Sequence, residues 1–280
     1  MLGKLLKHEW KTVWKVPVLL IAILMVISVM AGLTFALPIW DSEWIGLPLS
    51  GVMMIIVYYI ALIAVGIGIT IYFAVRYYRN MFTDEGYLTH TLPVTTHQLL
   101  LNKVITMSAW NLIGVVAVGV SLVLFFGIMF LSLASKNSSF ARDFVEALSE
   151  LKEIGNYPFF RGFGSFLVSM MFMMAVSSVS GSMILIASIN LGQMVHKHRV
   201  LGSIGAYFAI STVIQGINMA IMFPLMMKMT IDNELLYSFE ESPLALYTMF
   251  YTIVSVVYAA IAVGLYFLSE YLIRKKLELE

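Results

Sequence analysis

The chain has 280 residues, of which 60% are hydrophobic and only 12% charged; an ordinary soluble domain carries roughly 25% charge. With a mean hydropathy of +0.91, the composition excludes a soluble globular fold and implies an integral membrane protein. A net charge of +1 with no basic patch outside the membrane flanks argues against a nucleic-acid partner, and the absence of cysteine removes disulfides, thiolate metal sites and thiol nucleophiles together.

The first fifteen residues read MLGKLLKHEWKTVWK. Leu2, Leu5, Leu6, Trp10, Val13 and Trp14 recur at helical spacing, with Lys4, Lys7, Lys11 and Lys15 largely on the other side. This is the pattern of an amphipathic helix lying in the membrane interface, and it is equally compatible with a charged flank that sets topology. The apolar run that follows, 16–37, is too long for the core of a secretory signal and fits a membrane span.

Further apolar runs lie at 49–75, 104–131, 163–190, 200–227 and 244–272. None alternates with period two, which argues against a barrel. The expected fold is all-α: a single transmembrane domain over 1–280 with six spans, several long enough to tilt or to emerge from the bilayer. With both termini cytoplasmic, the inner flanks and loops hold twelve of the 17 Lys and Arg residues, the sense demanded by the positive-inside rule.

Between the third and fourth runs, residues 138–154 place Phe140, Phe144, Leu148 and Leu151 on one helical face and Asp143, Glu146, Glu150 and Glu153 on the other, with Ser139 as N-cap. This predicts an external amphipathic helix. The acidic loop 228–243, with Asp232, Glu234, Glu240 and Glu241, reads as a solvated face rather than a metal or substrate site.

Much chemistry is missing. The six apolar runs hold no ionisable side chain at depth, and Glu270, near the end of the last, comes closest. Proton relays need such groups, so a proton-coupled pump fits poorly. Gln215 and Asn218 lie one helical turn apart, suited to interhelical hydrogen bonding or to substrate contact. Gly66, Gly68, Gly114, Ser177 with Gly181, Ser180, Ser188, and Gly202 with Ala206 are candidates for close helix contacts. No internal repeat marks an inverted-repeat transporter.

Enzymatic readings also fail. The sequence GFGSF at 162–166 lacks the closing glycine of G-x-S-x-G. His90, His97, His196 and His198 fall on the cytoplasmic side, and the H-x-H pair at 196–198, without carboxylates, is a weak metal signal. The many methionines, among them Met170, Met171, Met173 and Met174, are explained by helix packing. There is no G-x-x-x-x-G-K-[ST] sequence, so the energy for any uphill transport has to come from another chain.

Residues 83–103, TDEGYLTHTLPVTTHQLLLNK, are built differently. Thr83 is placed to N-cap a helix, Asp84 and Glu85 favour its first turn, and Phe82 can staple to Tyr87. Pro93 blocks continuation. Thr95 to Gln98 then has the spacing of a capping box, stapled by Val94 and Leu99, and leads into the third span. The pattern predicts a short, doubly capped cytoplasmic helix tied to two spans: a lever for a cytoplasmic partner. Gly86 would admit the partner's backbone and Tyr87 would anchor it.

The stretches DEGYLTHTLPVTTHQLLLNK and LGKLLKHEWK resemble the permease subunits of type-2 ABC exporters, the kind common in bacterial drug, peptide and lipid export. The resemblance extends over the six spans and the interfacial N-terminal helix. It implies a coupling helix on Thr83, Asp84, Glu85, Gly86, Tyr87, Leu88, Thr89 and His90 that docks on a separate ATPase subunit. It further implies two ATPase copies, a second permease (identical or related), and residence in the bacterial cell membrane. ATP and magnesium would be held by the partner, and this chain would carry no cofactor and no catalytic residue. An amphipathic cargo, such as a peptide antibiotic, a drug or a lipid-like molecule, would pass between paired permeases, with Ser177, Ser180, Gln215 and Asn218 as candidate path residues. The alternative is a membrane sensor or resistance subunit that detects an antimicrobial at its outer loops without transporting it. The 138–154 helix exceeds the family's minimal pattern.

Because the chain has no cysteine, the orientation is directly testable. A cysteine at Ser138 should react with an impermeant thiol reagent in intact cells and one at His196 should not; the reverse pattern would invert the topology.

Overall fold

The computed structural model of the chain describes residues 2–37, 40, 44–83, 86, 94–136, 142, 146, 162–195, 198–231 and 243–276. Among the described residues all regular structure is helical: α1 (Leu2–Val13), α2 (Lys15–Leu33), α3 (Gly46–Phe82), α4 (Thr96–Lys136), α5 (Phe163–Gly192), α6 (Arg199–Ile231) and α7 (Pro243–Lys276). Six of them, α2 to α7, are long and apolar enough to cross a membrane. The expected six runs are thus six helices. Of the expected external helix over 138–154, only Arg142 and Glu146 are among the described residues, and most of the acidic loop 228–243 lies outside them.

The helix limits follow from local chemistry. The Thr95 hydroxyl accepts the Gln98 backbone N–H at 3.3 Å, so α4 starts at the predicted cap. Before α5, Gly162 takes φ +90°, a left-handed conformation that a side chain would strain. Along the spans, serine and threonine hydroxyls donate to carbonyls three or four residues back, as in Ser28 to Met25, Thr70 to Gly66, Ser188 to Ile184 and Ser255 to Tyr251. These hydroxyls are thereby satisfied within their own helix, which lets them lie in lipid. With 37 and 41 residues, α3 and α4 measure about 55 and 60 Å at 1.5 Å per residue. They far exceed the ~30 Å hydrocarbon core.

Two compact units are present. One comprises Trp10–Tyr72 and Trp110–Ile154. In it Tyr58 stacks on Phe125 at 4.9 Å and its hydroxyl meets Ser121 Oγ at 3.2 Å, while Phe35 approaches Phe125 edge-on. Trp10 stacks on Trp110 at 5.1 Å. Small residues mark the helix crossings: Gly32 lies against Ile128, Gly68 against Leu20 and Gly114 against Ile69. Gly66, expected to do the same, faces open space; it sits on the opposite helix edge from Gly68.

The other unit comprises Met1–Glu9, Phe73–Ala109 and Gly155–Glu280. Here α5 packs against both α6 and α7. Of the most apolar window of α5, 39% is buried, against 6% for α6, which makes α5 the central helix of this unit. The Ser178 hydroxyl donates to the Ser108 carbonyl, joining α5 to α4, and Asn218 Nδ2 donates to the Tyr258 hydroxyl at 3.0 Å, joining α6 to α7. At the α5–α6 turn, Gly192 lies directly on the backbone of Ser203, and Gly202 lies against Val195 and the Gly192 carbonyl. Gly202 is therefore a close-contact glycine as expected, whereas Gly181 faces open space.

A Cβ at Gly192 would overlap the backbone nitrogen and Cα of Ser203, which cannot swing aside. Gly192→Ala should therefore lower stability by about 1–3 kcal/mol. Gly181→Ala, with nothing nearby, should be neutral or stabilising by up to about 1 kcal/mol through helix propensity. Thermal unfolding of both variants in the same detergent checks the contrast.

Candidate functional site

The segment singled out by sequence hangs between the end of α3 and the start of α4, and these two ends are built unlike the rest of their helices. In the middle of α3, Ile56, Ile60, Ile63, Ile67 and Ile71 are about half exposed, as lipid-facing residues are. Toward the facing ends of α3 and α4 several large side chains are buried. Tyr77, Met81 and Phe82 on α3, and Leu99, Leu100, Asn102, Thr106 and Met107 on α4, are buried. Tyr77 donates its hydroxyl to Asn190 Oδ1 of α5 at 2.9 Å, and its ring meets Phe82 edge-on at 6.1 Å. The roots of the segment are thus firmly seated.

A charged cluster joins them. Lys103 of α4 donates to both carboxylate oxygens of Glu9 of α1 at 2.8 Å, and Arg76 Nε of α3 lies 3.4 Å from Glu9 Oε1. The side chains of Lys103, Glu9 and Arg76 are 7%, 13% and 23% exposed. Burying a lone ion costs several kcal/mol, and only close pairing offsets this. The cluster borders a small recess lined also by Phe73, Tyr77, Thr106 and Met107, with room for about one water molecule.

The three ions lie outside the apolar runs, but the helices extend beyond those runs. Lys103 stands just before the apolar run at 104, yet α4 begins at Thr96 and carries it buried in its interior. Glu9 escaped attention altogether, although a signal was present. It is the only acidic residue before Asp41, and at 100° per residue it falls on the side of Leu2, Leu5, Leu6 and Val13, opposite the lysines. A lone acid on an apolar helix face demands a cation.

A second cluster ties the first turn of α4 to the last turns of α7. The Tyr266 hydroxyl lies 2.7 Å from His97 Nδ1, Glu270 is 3.7 Å from the same nitrogen, and Arg274 meets Glu270 at 3.2 Å. Glu270, the acid nearest a span, is thus paired at a helix end.

Most of the expected coupling residues, Asp84, Glu85, Tyr87, Leu88, Thr89 and His90, lie outside the described residues, as does Pro93. Thr83, expected to cap a new helix, donates its hydroxyl back to the Arg79 carbonyl at 2.7 Å, and its own carbonyl accepts the Gly86 N–H at 2.7 Å. The last carbonyls of α3 have no intrahelical partner, so the hydroxyl closes that helix. Gly86 is buried, and a Cβ there would stand 2.6 Å from the Met81 carbonyl group; the close approach it permits is to its own chain.

The candidate path residues differ in setting. Ser177 donates to the Met174 carbonyl, Ser180 is fully buried, Gln215 is exposed, and Asn218 bonds Tyr258. Gln215 and Asn218 therefore have no common partner. Ser165 of GFGSF donates to the Gly162 carbonyl and serves the local turn. Among the described residues no group of three His, Asp or Glu is placed to hold a metal.

What fold and site define is a class, an all-helical protein fitted by its six apolar helices to a multi-pass membrane location. No family model, no curated protein and no solved structure matches the chain.

Lys103→Met leaves the Glu9 carboxylate buried with only the more distant Arg76, and should destabilise by roughly 3–5 kcal/mol. Glu9→Met with Lys103→Met removes both charges and should recover most of that loss. Thermal or denaturant unfolding of the two variants, read side by side, measures the coupling.

Proposed function

We propose that the chain is the permease subunit of an ATP-driven exporter, moving an amphipathic cargo across a bacterial cell membrane. The reading rests on the resemblance carried by DEGYLTHTLPVTTHQLLLNK and LGKLLKHEWK, and on the six candidate spans. The observation that supports it most is the seating of the α3 and α4 roots. A segment meant to receive force from a partner needs a stiff footing, because close-packed interiors transmit displacement with little compression. Buried Tyr77, Met81, Phe82, Leu99 and Leu100, the Tyr77–Asn190 bond and the Glu9 ion cluster supply that footing.

On this reading residues 83–91 dock on a separate ATPase subunit, which holds ATP and magnesium. Hydrolysis there displaces the segment, and α3 and α4 carry the displacement into the spans. Two permease chains, identical or related, and two ATPase subunits form the working unit. The chain itself contains no P-loop sequence, consistent with an energy source in trans.

In proteoliposomes holding both subunits, cargo movement should require ATP and survive collapse of the proton gradient. Tyr87→Ala should leave thermal stability unchanged, weaken ATPase co-purification by the equivalent of about 2 kcal/mol and abolish transport. Movement by the permease alone under a pH step would sink the proposal. ATPase binding without any cargo movement would favour the sensing subunit instead.

A further inference from the structure

Helix α1 presents two faces of opposite character. Lys4, Lys7 and Lys11 are exposed, and at 100° per residue they fall within one narrow stripe. Glu9 lies on the other side, largely buried, with both oxygens on Lys103 and one also facing Arg76. The helix ends at Val13, and the first candidate span begins at Lys15. Only Trp14 intervenes; it and Trp10 are partly exposed, as tryptophans at a headgroup belt are. The lysine stripe therefore belongs to a helix joined without slack to the point where the chain enters the bilayer.

We propose that α1 is a reader of anionic lipid: Lys4, Lys7 and Lys11 bind acidic headgroups, and Glu9 passes the position of the helix to α3 and α4 through Arg76 and Lys103. Charge complementarity selects the ligand, since a lysine stripe beside a membrane is attracted to an acidic leaflet and indifferent to a zwitterionic one. Geometry selects the route. Glu9 is the charged residue of α1 that faces inward, and its two partners stand on the two helices whose ends flank 83–95. Glu9 acts as a positioning residue and touches no ligand itself. The inference goes beyond the export reading and requires neither an ATPase nor a cargo.

The test uses the full chain in nanodiscs of phosphatidylcholine, with or without phosphatidylglycerol. It has two readouts: the lipid ratio retained around the protein, and amide hydrogen exchange in α1, at the end of α3 and at the start of α4. The native chain should enrich phosphatidylglycerol, with about a fivefold preference for each lysine engaged. Exchange should slow in all three places when the acidic lipid is present. Lys4→Gln/Lys7→Gln/Lys11→Gln should lose both effects. Glu9→Gln should keep the lipid enrichment and the response of α1 but lose the response in α3 and α4. Because Glu9→Gln leaves Lys103 buried without its anion, Glu9→Gln/Lys103→Gln is measured beside it and should behave alike. Equal exchange in both lipids for the native chain, or a native-like response at α3 and α4 in the doubly neutral variant, would overturn the proposal. So would reproduction of the effect by inorganic phosphate added to phosphatidylcholine discs.

Discussion

A carboxylate taken out of water must find positive charge, and in this chain that requirement recruits three helices. Glu9 sits on α1, Lys103 on α4 and Arg76 on α3, with the lysine bonding both carboxylate oxygens at 2.8 Å. No one of these ions would be stable in its place alone, since an uncompensated buried charge costs several kcal/mol. The position of α1, the register of α4 and the depth of Arg76 are therefore mutually dependent. The buried aromatic and aliphatic residues around the cluster, Tyr77, Phe82, Leu99 and Leu100, fill the space between the same helix ends.

The remainder of the chain follows the rules of helices in lipid. Many hydroxyls are satisfied by carbonyls of the same helix, as those of Ser177, Ser182 and Ser188 in α5 are. Glycines that touch a neighbour do so where backbones cross closely, at Gly32, Gly114, Gly192 and Gly202. Aromatic residues supply several of the interhelical polar bonds, through Tyr58 to Ser121, Tyr77 to Asn190 and Tyr258 to Asn218.

The firm packing at the facing ends of α3 and α4 bears on function. A span surrounded by lipid can tilt or slide at small cost, whereas ends held by packing and ion pairs move as a body. That arrangement suits a protein whose membrane helices respond to events at one end, which is what the proposed coupling to an ATPase and the proposed reading of anionic lipid both require.

The sequence by itself determined the helical class, the six apolar segments and the Thr95 cap, because apolar run length and capping chemistry are local properties read within a few residues. It also held enough periodicity to place Lys4, Lys7 and Lys11 on one face of α1 and Glu9 on the other. Only the tertiary structure decided what Glu9 meets, since Arg76 and Lys103 lie far along the chain and their approach depends on how three helices pack. The same holds for Gly86, whose close approach is to Met81. It holds as well for Gln215 and Asn218, which share a helix turn but not a partner. Helical spacing specifies which side chains share a face; which face another helix covers is fixed only when nonlocal contacts form.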